Sequence, residues 1–179
     1  MFGLKSVYFY LLAVQITLIK IVKKFYFSSK NYNKSLESIT PKQVYYSPNP
    51  FLLSIITSYN GHSFKINDID PNIFWLDNKR KDEEQMHSFL WLSLIDRKTD
   101  HIKIKKIIYI WMLKNLKYKK KTWETSTLST RIISWILNVD IILNNSTFDF
   151  RKNFLNCIIN QTNHLKRNIR FESNLKKKI

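Results

Sequence analysis

Residues 123–135 read Trp-Glu-Thr-Ser-Thr-Leu-Ser-Thr-Arg-Ile-Ile-Ser-Trp. Leu128, Ile132, Trp135 and Ile136 recur at intervals of three and four, the spacing of one apolar helix face. Thr127 is expected to cap the start of that helix. Ser129 and Arg131 then fall in its first turns, with Trp135 four residues after Arg131, within stacking reach. An arginine so near a helix start opposes the macrodipole, so it calls for a specific partner. A carboxylate within the fold is the first expectation, and an anionic ligand the second.

The same spacing continues outward. From Glu83 onward the chain is predicted to be helical. Met86, Phe89, Leu90 and Leu94 form one stripe, and Ile104, Ile107, Ile108 and Trp111 form the next. The stripe begun at Leu128 runs on through Val139 and Leu143. Phe154, Ile158, Leu165 and Ile169 give a last one, with Ser146-x-x-Asp149 as its capping box. Short connections predict antiparallel neighbours. Upstream, Ser28 to Pro50 reads as a loop with at most short helical pieces, Phe51 to Tyr59 as a short apolar segment, and Ser63 to Ile69 as a short extended stretch. Three regions are expected: 1–27 an apolar helix, 28–82 irregular, and 83–179 helical hairpins.

Val7 to Ile19 is apolar except for Gln15 and Thr17, with Lys5 before it and Lys20, Lys23 and Lys24 after it. A spanning helix wants roughly 20 apolar residues. The run is read first as a buried helix, with an uncleaved membrane anchor over residues 7–22 as the alternative. No small-residue cleavage site follows it.

Composition narrows the function classes. The chain has 179 residues, 44% of them apolar and 15% aromatic, enough to bury a core. One cysteine, Cys157, excludes a disulfide framework or a Cys-rich zinc site. Two glycines exclude a glycine-rich phosphate loop and argue against a turn-rich β architecture. The net charge of +17 suggests nucleic acid. Against that, 24 lysines, 24 isoleucines and 17 asparagines accompany 6 arginines and one alanine, the mark of AT-rich codons. A phosphate reader would favour arginine, so nucleic-acid binding ranks low. His62, His87, His101 and His164 form no metal-ligand pattern, and no metal or cofactor is expected. His87 reads as a solvated helix residue and Cys157 as core. Trp75, Trp91, Trp111, Trp123 and Trp135 read individually as core, though tryptophan also stacks on the apolar face of a pyranose.

Together these features resemble the N-terminal helical domain of the heparinase II/III-like polysaccharide lyases. The resemblance rests on the loop tryptophan Trp123, then Ser129-x-Arg131, then Trp135-Ile136 on one helix. Upstream, Trp75 precedes the aromatic helix Met86 to Asp96. Downstream, Gln161, Leu165, Ile169 and Glu172 share a helix, and the first helix with Gln15 is a weaker match. The resemblance implies an all-α fold, part of an incomplete α/α toroid, ahead of a β-sandwich. It implies β-elimination on uronic-acid polysaccharides, in which positioned donors quench the carboxylate so that the C5 proton can leave. The Asn-His pair that follows the glutamate in that family has no counterpart after Glu172, and Asn163-His164 lies out of register. The expectation is therefore a fragment without catalytic residues, whose partner is the missing C-terminal part. It would contribute Trp123, Ser129, Arg131 and Trp135 to a groove for acidic polysaccharide. A periplasmic or extracellular location is implied by the resemblance alone.

Overall fold

The computed structural model describes residues 4–37, 70, 71, 75, 83–95 and 101–176. The segments Phe51 to Tyr59 and Ser63 to Ile69 lie outside the described residues. The protein is all-α, and among the described residues there is no strand. It divides into two compact units, Met1–Ser35 and Leu36–Ile179.

The first unit is built on α1, Leu4–Ser28. Ser29 then breaks the chain and caps α2, Lys30–Leu36: its Oγ accepts from the Tyr32 amide at 3.1 Å. Asn33 donates back to the carbonyls of Ser29 and Phe27, which ties the two helices together. The expectation that Val7 to Ile19 forms a buried helix is overturned. Leu11 is 61% exposed, Leu18 57% and Phe25 73%, whereas Leu12, Ile16 and Ile19 on one face are half-buried and Phe27 at its end is buried.

The second unit begins with Leu36 and continues in α3, Glu83–Ser88, and a 3-10 turn, Leu90–Leu94. The stripe from Met86 to Leu94 predicted one continuous helix, but the chain is interrupted at Phe89. Its φ of 59° and ψ of 18° are left-handed, a conformation costing a bulky residue roughly 1–2 kcal/mol. Tertiary contacts hold it there. Ser134 Oγ donates to the Phe89 carbonyl at 2.6 Å. The fully buried Phe89 ring also meets Trp91, Trp111 and Trp135 at centroid distances of 5.3, 5.4 and 5.1 Å.

Three long helices follow the expected stripes: α4, His101–Asn115; α5, Thr125–Leu137; and α7, Phe148–Lys176. The short α6, Val139–Leu143, continues the α5 stripe after a break at Asn138, whose side chain donates to the Ser134 carbonyl. Caps differ from expectation. Helix α5 starts two residues before Thr127, which is buried within it, and its N-cap Glu124 makes no side-chain cap bond. At α7 the cap is Thr147, which accepts from the Phe150 amide. Ser146 instead bonds back to the Leu143 carbonyl.

Pairings along α5 and α7 run in opposite directions: Thr125 with Asn168, Arg131 with Gln161, and Trp135 with Phe154. The two helices are antiparallel. The pairings of Lys105 with Asn144 and Trp111 with Trp135 make α4 and the α5–α6 segment antiparallel as well. The buried face of α7 changes character along its length. Phe154, Leu155 and Ile158 seal the apolar core, whereas Gln161 and Asn168 meet the polar first half of α5 and His164 packs on Tyr118 and Trp123 before it.

Candidate functional site

Arg131 is fully buried, and no carboxylate holds it among the described residues. The expected internal salt bridge is replaced by neutral acceptors. Nε donates to Gln161 Oε1 at 2.8 Å, Nη1 to the His87 carbonyl at 2.8 Å, and Nη2 to the Thr122 carbonyl at 2.9 Å. The guanidinium also lies 4.4 Å from the centre of the Trp111 ring, where the ring's electron-rich face attracts a cation. Desolvation pushes its pKa from 12.5 down to about 9, which leaves it charged at neutral pH. Only arginine's planar fork supplies three nitrogens to three acceptors on separate segments.

Gln161 completes the relay by donating from Nε2 to Cys157 Sγ at 3.0 Å. Burial pushes that thiol up to about 12, against the smaller opposing effects of Arg131 and Gln161. Cys157 is therefore a protonated core group, as its apolar neighbours predict.

Two of the carbonyls that Arg131 holds belong to residues on a cavity of about 440 Å³. One wall is aromatic. Trp75 and His87 stack with centroids 5.5 Å apart and planes within 4°. Trp75 is fixed from behind by its indole N–H, which donates to the Ile107 carbonyl at 2.9 Å. His87 is fixed by Trp111, whose indole N–H donates to Nδ1 at 2.9 Å. That bond leaves Nε2 as the protonated nitrogen of the neutral ring. His87 is thus part-buried and stacked, not the solvated residue its position beside Met86 suggested.

The rest of the lining is largely cationic: Lys114 from α4, then Lys119, Lys120 and Lys121 from the following turn. The turn is closed by the Trp123 amide, which donates to the Lys119 carbonyl at 2.9 Å. Thr122, also on the cavity, carries a buried hydroxyl without a hydrogen-bond partner among the described residues. No carboxylate lines the cavity among the described residues. The arrangement offers an anion a set of ammonium groups, and offers a flat apolar surface an aromatic stack.

Trp123, Ser129, Arg131 and Trp135, singled out from sequence, do not line this cavity. Trp123 is buried and donates from its indole N–H to the Asn115 carbonyl at 3.1 Å. Trp135 is buried in the aromatic core against Phe89, Trp111 and Phe154. Ser129 folds its hydroxyl onto the Ser126 carbonyl at 2.9 Å. Arg131 reaches the cavity only through the two carbonyls it holds. Neither the pair Trp75 and His87 nor the lysine turn is singled out as a site by a sequence motif. His164 is buried between Tyr118 and Trp123, at ring distances of 5.4 and 5.2 Å, and Asn163 donates to the Leu36 carbonyl at 2.7 Å.

No protein-family model, curated protein or solved structure matches the chain.

Proposed function

We propose that the chain is the N-terminal helical part of a heparinase II/III-like polysaccharide lyase, and that the lysine-rimmed cavity forms one wall of a groove for an acidic polysaccharide. The observation that carries this reading is the pairing of the Trp75–His87 stack with four lysines around one cavity. A uronate presents both a carboxylate and an apolar ring face, and the two walls offer a complement to each. The antiparallel packing of α4, α5 and α7 is compatible with helix hairpins of an incomplete α/α toroid. On this reading the signature Trp123, Ser129, Arg131 and Trp135 shapes the wall from within.

The test is a titration of uronate oligosaccharides against neutral oligosaccharides of equal length, at low salt, followed by tryptophan fluorescence. Exposed ammonium groups contribute only ~0.2–1 kcal/mol each, so affinity should be modest and should weaken as salt rises. The double substitution Lys120→Glu, Lys121→Glu should lower uronate affinity about tenfold or more. Equal binding of neutral and acidic sugars, or no effect of the charge reversal, would falsify the reading. Tight oligonucleotide binding with a steep salt slope would point instead to nucleic acid.

A further inference from the structure

The geometry points to α1 as a bilayer-spanning helix, with lipid as the occupant of its bare surface. This does not depend on the sugar reading, because α1 belongs to the unit Met1–Ser35 and the cavity to the unit Leu36–Ile179.

Four observations converge. First, the segment Ser6–Ser28 is 23 residues long with a mean hydropathy of 1.5, and none of its apolar window is buried. At 1.5 Å per residue it reaches about 35 Å, against a hydrocarbon thickness of about 30 Å.

Second, the apolar surface has no polar side over its first half. Residues Val7 to Val14 are consecutively apolar and cover more than two turns, with Val7, Tyr8, Phe9, Tyr10, Leu11 and Val14 all exposed. A second copy of the chain, or a partner helix, needs one apolar stripe and would leave the other faces in water. An interfacial helix needs a polar face, which this half lacks. A bilayer covers every face at once.

Third, the ends carry the residues that belong at headgroup level. Tyr8 and Tyr10 stand near one end and Tyr26 near the other, all exposed. Tyr8 and Tyr26 are separated by ~27 Å along the axis, close to the separation of the two interfaces. Lys20, Lys23 and Lys24 form a stripe on one face at the second end. Their long stems can lie along the apolar surface while the ammonium groups reach phosphate.

Fourth, the polar atoms inside the run are partly answered within the helix. The Thr17 hydroxyl donates to the Ala13 carbonyl at 2.8 Å, and the Ser28 hydroxyl donates to the Lys24 carbonyl at 2.8 Å. A hydroxyl bonded to its own helix loses less on entering hydrocarbon than one left open.

The experiment uses the full chain made in a bacterial host. Membranes are washed with alkaline carbonate and floated on a density gradient, and the protein is weighed by intact mass spectrometry. The wild-type chain should stay with the floating membranes and retain residues 1–28. Substituting Leu11→Glu and Val14→Glu together should shift at least nine-tenths of it to the soluble fraction. The near-ultraviolet circular dichroism of the five tryptophans, all in the second unit, should stay unchanged. Wild-type protein released by carbonate, as a soluble oligomer joined through α1 would be, overturns the proposal. So does protein that sinks as aggregate, a product that has lost residues 1–28 by cleavage, or a double variant that still floats with a native spectrum.

Discussion

Replacing Arg131 with lysine separates the two things this side chain supplies, its charge and its fork. The guanidinium is fully buried and uses three different nitrogens for three acceptors, on α7, on α3 and in the turn before Trp123. Hydrogen bonds from a charged donor contribute about 1.5–3 kcal/mol each. A lysine at 131 retains the cation but presents one nitrogen at the end of a flexible stem. It can replace one of the three bonds and loses the planar contact with Trp111, which lies 4.4 Å away. The expected cost is therefore about 3–5 kcal/mol, the loss of two such bonds with some relaxation. For a unit the size of Leu36–Ile179 this corresponds to a fall in Tm of roughly 10–20 °C. Arg131→Met should cost less than lysine, because it also removes a cation whose desolvation is unfavourable. The assay is urea and thermal unfolding followed by tryptophan fluorescence, with uronate binding measured on the same samples. If Arg131→Lys unfolds within about 1 kcal/mol of wild type, the fork does not hold these segments and the account of the cavity walls fails with it.

Other expectations follow from single contacts. Ser134→Ala removes the hydroxyl that donates to the Phe89 carbonyl at 2.6 Å and should destabilise the protein by about 1–3 kcal/mol in urea unfolding. Cys157 titrates at about 12 instead of 9, so the thiolate fraction at pH 8 falls about a thousandfold. The sign is that of a buried neutral acid: the raised thiol has no effect on stability at neutral pH, and it destabilises the fold progressively as pH rises from 9 towards 12, where an unfolded thiol ionises and the folded one does not. A maleimide reagent at pH 8 should label Cys157 at a rate set by unfolding, and fast labelling of the folded protein would contradict its burial.

The parts of the fold that were legible are those set by local periodicity. The stripes at Ile104 to Trp111, Leu128 to Trp135 and Phe154 to Ile158 mark α4, α5 and α7, because each buried face repeats within one helix. The break at Phe89 was not legible. Nothing about phenylalanine announces a left-handed turn, and the groups that enforce it lie far along the chain, at Trp111 on α4 and at Ser134 and Trp135 on α5. The cap before α7 was missed by one position because Ser146 and Thr147 are both good caps and only geometry assigns their roles. For the site, the macrodipole argument recognised that Arg131 needs a specific partner, but not that the partners are carbonyls. Main-chain acceptors leave no trace in sequence. Trp75 and His87 come from separate segments and are brought together against α4, where Ile107 and Trp111 hold one each. Lysine charge is legible in sequence, and the meeting of Lys119 to Lys121 with that stack on one cavity is not.

Phe89 also sets a conflict that no substitution resolves. Its backbone favours glycine, because a residue without a Cβ adopts a φ of 59° freely. Its side chain demands the opposite, a large ring wedged among Trp91, Trp111 and Trp135. No encoded amino acid satisfies both, so this point of the chain is frustrated in the energetic sense. Frustration concentrates opening, and His87 sits two residues away on the aromatic wall of the cavity. The wall should therefore be the first part of the second unit to loosen. A ligand that stacks there would tighten Phe89 as it binds, and slow amide exchange through α3 would be the trace of its arrival.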